Sequence, residues 1–221
     1  MQCINDDMVP RFQLYHDLDF SCTGAYGTHG RRLLNDGINS ASDTLNLQYP
    51  VTEREHRGNK AEGRVIGVNF EIGVRGPLSG RLGRLQNIKP DISTREDVLS
   101  NPGTKYLLPV YQDITTFTVS VMNIEEILAE KIASIFERDK MRDTHDLYFL
   151  LIIKGIEYDE AIVMKKMCRR KEIFDKDELL RRINEALNRV KWRSELSYLV
   201  NPPPDNKLIV ESLRNALPLQ T

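Results

Sequence analysis

Two stretches of the sequence carry residue types whose spacing could support phosphate chemistry. In the first, Asp17 and Asp19 are two positions apart in a segment predicted to be a strand. In the second, residues 123–147, Lys131 lies on one predicted helix and Asp146 near the start of the next. Neither stretch is specific alone, but together and in this order they indicate a site for a metal ion and nucleotide phosphates.

The Asp17 and Asp19 side chains are expected to face one side of their strand, because side chains alternate along a strand. Leu18 and Phe20 then face the other side and can anchor the strand in a core. Two carboxylates held together repel each other unless one is protonated or a cation lies between them. Mg²⁺ is the natural cation, since it takes oxygen ligands and keeps substrate phosphates in its shell. The structural alternative, a solvated edge strand, is the commoner explanation for an isolated Asp-x-Asp.

A third carboxylate would strengthen the metal site, and Asp91 and Glu71 both lie in predicted strands. Pro90 cannot donate a hydrogen bond to a strand ladder and is typical of an edge strand, which leaves a face open beside Asp91. We therefore favour Asp91 over Glu71 as the third ligand, although either acid could be an ordinary surface residue.

Lys131 is the most informative single residue. On an α-helix it projects close to the apolar line through Leu128 and Ile135. Glu130 and Glu137 are expected to point toward solvent. A cation beside an apolar stripe is costly unless it reaches an anion or water. Lys131 could hold nucleotide phosphates as a compact point charge, or its stem could pack while the ammonium extends into solvent.

The acids that follow Lys131 have a structural explanation of their own. Asp143 is expected to cap the second helix, which puts Asp146 at the third helical position, where an acid interacts favourably with the helix dipole. Arg142 could pair with either acid, and His145 is expected to be exposed and without a role. From spacing alone, capping is favoured over catalysis for these acids.

Composition excludes several classes of protein. The 221 residues carry a formal net charge of −1, so the overall charge requires neither a nucleic acid nor an anionic membrane as partner. Three widely separated cysteines argue against a disulfide framework, and no apolar run approaches the roughly 20 residues that span a bilayer. We expect a cytoplasmic protein. The lysines and arginines concentrated in residues 165–193 favour a solvated helical face over an RNA-binding surface.

The order of predicted elements indicates a mixed α/β (α+β) fold. The predicted strands are residues 14–21, 64–74, 88–94 and 117–122, and the predicted helices are residues 29–47, 124–136, 144–154, 159–170, 176–190 and 206–216. We therefore divide the chain into an α/β part, residues 1–122, and a helical part, residues 123–221, which carries Lys131 and Asp146.

The helical stretch resembles the signature of a known family, the nucleotidyltransferase AbiEii/AbiGii toxin family. The residues that carry the resemblance are Leu128-Ala129-Glu130-Lys131, Arg138, Arg142-Asp143 and Asp146-Leu147-Tyr148. Residues 16–21 are similar to the family's Asp-Leu-Asp-Phe strand, and residues 88–96 to its later acidic strand. The resemblance covers most of the chain, with residues 22–60 poorly matched.

The resemblance implies a nucleotidyltransferase fold of the polymerase-β type, with a mixed sheet, flanking helices and a helical C-terminal part. It also implies Mg²⁺-dependent transfer of a nucleoside monophosphate from an NTP. Some relatives use tRNA as acceptor, and members are associated with toxin–antitoxin and phage-defence operons, so RNA and a cognate antitoxin are expected partners. The implied site residues are Asp17, Asp19 and Asp91 for the metal, and Lys131, Arg142 and Asp146 for the nucleotide and catalysis.

The start of the sequence departs from the family's pattern. The family carries a Gly-Gly-Ser/Thr turn before the Asp-x-Asp strand, where backbone amides and a hydroxyl would hold phosphate. The 16 residues before Asp17 contain no glycine, which favours a truncated or misassigned start. The alternative hypothesis is a catalytically impaired family member that binds a protein or RNA, and a metal-dependent nuclease that uses the same acids is a third.

Overall fold

The structure is a computed structural model, and the residues it describes are 17–22, 27–44, 51–61, 64–74, 86–93, 98–108, 115–138, 140–189 and 204–217. Within these ranges the chain forms six α-helices and two sheets, which confirms the predicted mixed α/β (α+β) class. The chain divides into two compact units: Met1–Val98 with Thr104–Val121, and Leu99–Gly103 with Met122–Thr221. We refer to them as the sheet unit and the helical unit.

The sheet unit is built on a four-stranded mixed sheet. Its strands are β1 (Asp17–Ser21), β2 (Val51–Ala61), β3 (Arg64–Val74) and β4 (Gln86–Ser93), and helix α1 (Gly27–Thr44) follows β1. The spatial order is β1-β4-β3-β2, with β1 parallel to β4 and the other neighbours antiparallel. A separate two-stranded sheet pairs β5 (Gly103–Leu107) with β6 (Phe117–Val121).

The two faces of the four-stranded sheet differ in polarity. Val68 of β3 and Ile92 of β4 are paired and buried, and Leu34 of α1 packs against them. The next pair along the same strands, Asn69 and Asp91, is exposed. Because successive side chains of a strand point to opposite faces, α1 covers the apolar face, and Asn69 and Asp91 lie on the other one.

The interpretation of β4 as an edge strand is wrong. β4 pairs with β1 on one side and with β3 on the other, and Pro90 stands opposite Leu18 in the parallel pairing. Pro90 is buried. A proline removes only its own N–H from the ladder, and burial of its apolar ring on the packed face offsets that loss, so an interior strand can tolerate it here.

The helical unit contains five α-helices around one apolar core. They are α2 (Ile124–Glu137), α3 (Met141–Tyr148), α4 (Glu160–Arg169), α5 (Lys176–Leu187) and α6 (Asn206–Ala216). Each helix contributes buried side chains to that core, among them Leu128, Leu147, Val163, Ile183 and Leu213. None of the helices in the described ranges is long and apolar enough to cross a membrane.

The ends of these helices follow local side-chain and backbone chemistry. Asp159, Asp175 and Asp205 each accept a hydrogen bond from a backbone N–H in the first turn of α4, α5 and α6. Helix α3 continues into a π-helical turn, Phe149–Ile153, and Gly155 follows with a φ of 63°, a conformation that favours glycine. The helix predicted over residues 144–154 therefore ends before Gly155 as expected, whereas it begins at Met141 rather than at Thr144.

A chain of ion pairs joins α2 to α4. Lys166 is almost fully buried, and its ammonium lies 2.6 Å from Glu126 Oε1 and 2.7 Å from Glu130 Oε1. The guanidinium of Arg170 lies 2.6 Å from Glu130 Oε2 and 3.1 Å from Glu137 Oε2. These contacts hold the face of α2 that carries the three glutamates against α4.

Glu126 also fastens the segment before β5 to α2. Its carboxylate accepts hydrogen bonds from the backbone N–H groups of Leu99 at 2.6 Å and Ser100 at 2.9 Å. Burial alone would raise the pKa of Glu126, but the hydrogen bonds from Lys166 and these two amides outweigh it and hold the pKa below its usual value. Glu126 is therefore a buried anion at neutral pH, and it depends on all of these partners.

One expectation for these helices is wrong, and another holds only in part. Glu130 does not point toward solvent, because it bonds Lys166 and Arg170, whereas Glu137 is exposed as expected. Lys166 and Arg170 belong to the basic run of residues 165–193, yet both are withdrawn from solvent by their carboxylate partners. Lys165, Arg169 and Arg189 of the same run are exposed, as expected for a solvated helical face.

Replacing Lys166 with methionine is expected to lower the free energy of unfolding by about 3–5 kcal/mol, because Glu126 would remain buried without its cation. Urea unfolding followed by circular dichroism measures the change. Lys165→Met is the matched control, since Lys165 is exposed on the same helix, and its effect should stay within about 0.5 kcal/mol. Equal losses in the two variants would contradict the role assigned to the buried pair.

Candidate functional site

Two of the predicted acids lie side by side on the polar face of the sheet. In the parallel pairing of β1 with β4, Asp19 is opposite Asp91, and both side chains are exposed. Neighbouring strands lie about 4.8 Å apart, and paired residues point to the same face. The two carboxylates are therefore close neighbours, and their repulsion favours a cation between them.

Asn69 of β3 extends this row by one strand. It lies opposite Asp91 in the antiparallel pairing, and its side-chain amide donates a hydrogen bond of 2.5 Å to Asp91 Oδ1. The hydrogen bond fixes the orientation of one oxygen of that carboxylate. Three neighbouring strands thus contribute to one polar row, with the two acids at β1 and β4.

For the other two predicted acids of the sheet, Asp17 and Glu71, the structure gives the position of the backbone in its strand. Asp17 lies opposite Lys89 in the pairing of β1 with β4, and Glu71 lies on β3, which is one strand further from β1. The side chains of Asp17 and Glu71 fall outside the part of the chain that the structure describes. By register, Asp91 rather than Glu71 is the strand neighbour of Asp19.

In the helical unit, Lys131 forms an ion pair with Asp146. Helix α2 carries the lysine and α3 the aspartate, and the ammonium lies 2.5 Å from Asp146 Oδ2. Both side chains are partly exposed, by 26% for the lysine and 38% for the aspartate. The ammonium therefore has an anionic partner and does not simply extend into solvent, and the pair remains accessible to a ligand.

The charge of Asp146 is stabilised by its neighbours. Burial alone would raise its pKa, but His145, whose Nδ1 lies 3.9 Å from Asp146 Oδ1, and the Lys131 ammonium outweigh burial and lower the pKa. The carboxylate is therefore ionised at neutral pH and can accept hydrogen bonds from a ligand.

Asp143 is a second carboxylate partner of Lys131, and it is fully buried. Its Oδ1 lies 3.5 Å from the Lys131 ammonium. Arg138, at the end of α2, donates from Nε to Asp143 Oδ2 at 2.9 Å and from a terminal nitrogen to Oδ1 at 3.1 Å. This bidentate contact fixes the carboxylate, which in turn positions the ammonium. Lys131 thus lies between two carboxylates, one buried and one partly exposed.

The prediction that Asp143 caps the second helix is wrong. Helix α3 begins at Met141 with Lys140 as its N-cap, so Asp143 lies inside the first turn and Asp146 comes a turn later than expected. The burial of Asp143 is explained by its two cationic partners rather than by the backbone N–H groups of the helix start.

Two neighbouring residues also differ from expectation. Asp143 takes Arg138 as its guanidinium partner, while the Arg142 side chain is exposed. His145 is only 17% exposed and faces Asp146, so it is not a freely solvated residue. The Arg142 guanidinium is therefore accessible to a ligand.

The row of acids on the sheet has a suitable donor set for a hard divalent cation. Asp19 and Asp91 supply carboxylate oxygens on neighbouring strands, the ligand type that Mg²⁺ prefers. Among the side chains that the structure describes, no group of three or more histidine, cysteine, aspartate or glutamate residues is placed to hold a metal ion. Two carboxylates still fit Mg²⁺, because it commonly takes waters and substrate phosphates as its remaining ligands.

Reasoning from the sequence assigned no site role to Arg138, Asp143 or Asn69. Arg138 follows Lys131 by seven residues, nearly two helical turns, so spacing does place both on one side of α2. The pairing of Arg138 with Asp143 depends on how α2 meets α3. The contact of Asn69 with Asp91 depends on the register of β3 against β4, for which the sequence offers no direct signal.

Comparison with known families gives a match over most of the chain. A family model described as Nucleotidyl transferase AbiEii toxin, Type IV TA system, matches residues 16–217. The match includes both the acid-bearing strands and the helices that carry Lys131 and Asp146. No curated protein matches the sequence.

Substitution of the two carboxylates beside Lys131 should separate their roles. Asp143→Asn is expected to lower the free energy of unfolding by about 2–4 kcal/mol, because it weakens a buried contact to Arg138 and Lys131. Asp146→Asn removes a partly exposed charge and should cost about 1 kcal/mol or less. Parallel denaturant titrations measure both values, and a larger loss for Asp146→Asn would reverse the assignment of the structural carboxylate.

Proposed function

This chain belongs to the AbiEii nucleotidyltransferase toxin family, and we propose that it transfers a nucleoside monophosphate from an NTP to an RNA acceptor, with tRNA as the first candidate. The family match assigns it to the nucleotidyltransferase toxins of type IV toxin–antitoxin systems, with a nucleotide as substrate and an antitoxin as counterpart. The observation that carries the proposal is the register that puts Asp19 beside Asp91 on an exposed face of the sheet.

Asp19 and Asp91 are proposed to hold the divalent metal, with Asp17 as a further carboxylate of β1. The proposal is supported by the parallel register of β1 and β4 and by the hydrogen bond from Asn69, which orients Asp91. Mg²⁺ bound there would neutralise phosphate charge during transfer. The residues themselves bind and orient, which is the larger part of catalysis in phosphoryl transfer.

Lys131 is proposed to hold the triphosphate through its ammonium. The lysine is partly exposed, and its two partners differ: Asp143 is buried, whereas Asp146 is accessible. A phosphate group can therefore approach the ammonium on the exposed side while Asp143 continues to position it. Asp146 would then orient the lysine or accept a hydrogen bond from the nucleotide or the acceptor.

Arg142 is proposed as a second nucleotide-binding cation. It lies on α3 with an exposed side chain, one turn before Asp146. An exposed guanidinium can form a bidentate contact with phosphate at little cost in desolvation. Its removal should therefore weaken nucleotide binding without destabilising the helical unit.

The wild-type protein is expected to transfer radioactive label from an NTP to RNA in the presence of Mg²⁺. Asp19→Asn and Lys131→Met should each reduce the rate at least about 100-fold, because transition-state charge would lose a positioned partner. Asp36→Asn and Lys165→Met remove equal charges at exposed positions outside the proposed site and should retain the wild-type rate.

Failure of folded wild-type protein to label a broad RNA pool with any of the four NTPs would contradict the proposed reaction. If the protein also showed no affinity for Mg²⁺-NTP in calorimetry, the catalytically impaired alternative would replace it. Shortening of the RNA without gain of label would instead identify a nuclease.

Metal binding can be tested apart from catalysis. Mn²⁺ as a probe ion, followed by the electron paramagnetic resonance signal of the free ion, should bind at least about tenfold more weakly to Asp19→Asn and Asp91→Asn. Asp36→Asn again serves as the control of equal charge. Wild-type affinity in both site variants would show that these acids do not form the metal site.

A further inference from the structure

The described part of the helical unit contains a cleft of about 260 Å³ formed by the end of α2, the start of α3 and one side of α5. Its lining is strongly basic. The cations are Arg138, Lys140, Arg181, Arg182 and Arg189, and the acids are Glu137 and Glu185. Three of the five cations belong to the basic run of residues 165–193, for which the proposed reaction gives no role.

Arg182 is held rigidly in this cleft. It donates to Glu178 Oε1 and to the backbone carbonyl oxygen of Phe136, both at 2.6 Å. Its guanidinium carbon lies 5.1 Å from the centroid of the Phe136 ring. An arginine fixed by stacking and by a carbonyl at the end of a helix loses little further freedom when it binds a ligand.

Carboxylates pair with these arginines without removing the positive character of the cleft. Arg181 and Arg182 share the carboxylate of Glu178, and their hydrogen bonds lower its pKa to about 2. A guanidinium carries five N–H donors, so an arginine held on one side by a carboxylate can still donate to an oxyanion on another. Lys140 and Arg189 are exposed and add charge at the surface.

An opening lined by arginines suits oxyanions rather than an apolar molecule. Arginine binds phosphate through two parallel hydrogen bonds, and several cations spread over three helices match repeated phosphates better than one isolated anion. The cleft is also linked to Lys131, because Asp143 bonds Arg138 of the cleft and faces the Lys131 ammonium at 3.5 Å. A strand bound in the cleft would therefore lie next to the proposed nucleotide-binding residues.

We propose that this cleft binds phosphodiester groups of the RNA acceptor. The inference rests on the proposed function for the identity of the acceptor, and it goes beyond that function by locating a contact surface where α2, α3 and α5 meet. Arg138 and Arg182 position the strand from fixed sites, and Lys140 and Arg189 neutralise further phosphates. Such contacts carry affinity and orientation rather than sequence recognition.

The test is RNA binding by the full chain without NTP or metal, so its outcome does not depend on transfer. The probe is a fluorescein-labelled mixed-sequence single-stranded RNA, and anisotropy gives Kd over a series of salt concentrations. Lys140→Gln/Arg189→Gln should raise Kd about tenfold and make the slope of log K against log salt shallower by about 0.7 for each lost phosphate contact.

The matched control is Lys165→Gln/Arg214→Gln, which removes the same types of charge at exposed positions of α4 and α6. It should stay within about twofold of wild type, since non-specific attraction depends only weakly on two distant charges. Equal weakening in both double variants, or no change in either, would overturn the proposal. Loss of NTP affinity with unchanged RNA affinity in the cleft variant would identify the cleft as a nucleotide subsite and would also overturn it.

RNA binding that is lost in the cleft variant, together with no transfer by wild type, would refute the proposed reaction and leave the cleft assignment standing. If the wild type transfers label and the cleft variant keeps wild-type RNA affinity, the proposed reaction stands and the cleft assignment is refuted. The two proposals can therefore fail separately.

Discussion

The repulsion between like charges held at strand spacing is the constraint on which the proposed site depends. Parallel pairing of β1 with β4 fixes Asp19 beside Asp91, and antiparallel pairing with β3 brings Asn69 within hydrogen-bonding distance. Helix α1 packs through Leu34 on the apolar face, so the acids lie on the opposite, polar face. Main-chain hydrogen bonds, rather than a network of side chains, hold these carboxylates together, and a divalent cation is the simplest partner that offsets their charge.

In the helical unit the charged group that is held in place is a cation, the Lys131 ammonium. Its two carboxylate partners differ in exposure. Asp143 is buried and fixed by Arg138, whereas Asp146 can meet a ligand. The lysine is well positioned because α2 is fixed on its other side by Lys166 and by the backbone amides that Glu126 binds. Core packing and buried charge pairs therefore act together to keep one ammonium accessible yet oriented.

Strands and helices were predicted correctly from the sequence where the apolar residues follow a single period, that of a strand or that of a helix. β3 has the expected bounds because its apolar residues alternate, and α4, α5 and α6 follow from apolar spacing. β2 was not predicted, since polar residues occupy most of its VTEREHRGNKA sequence. The same limit applies to the site. Spacing identified Asp19 and Lys131 as candidates, whereas Asp91 was chosen because Pro90 suggested an edge strand, an interpretation that the pairing of β4 contradicts. The partners Asn69 and Asp143 depend on strand register and helix packing, which spacing along one element does not encode.

The central claim is that Asp19 and Asp91 together hold the divalent cation of the proposed reaction. A double-mutant cycle on Mn²⁺ binding tests it most directly, with the electron paramagnetic resonance signal of the free ion followed in wild type, Asp19→Asn, Asp91→Asn and the double variant. One cation held by both carboxylates predicts that the double variant loses less than the sum of the single losses, with a coupling of about 1 kcal/mol or more. Losses that add to within about 0.5 kcal/mol would show that the two carboxylates do not share a cation and would contradict the account.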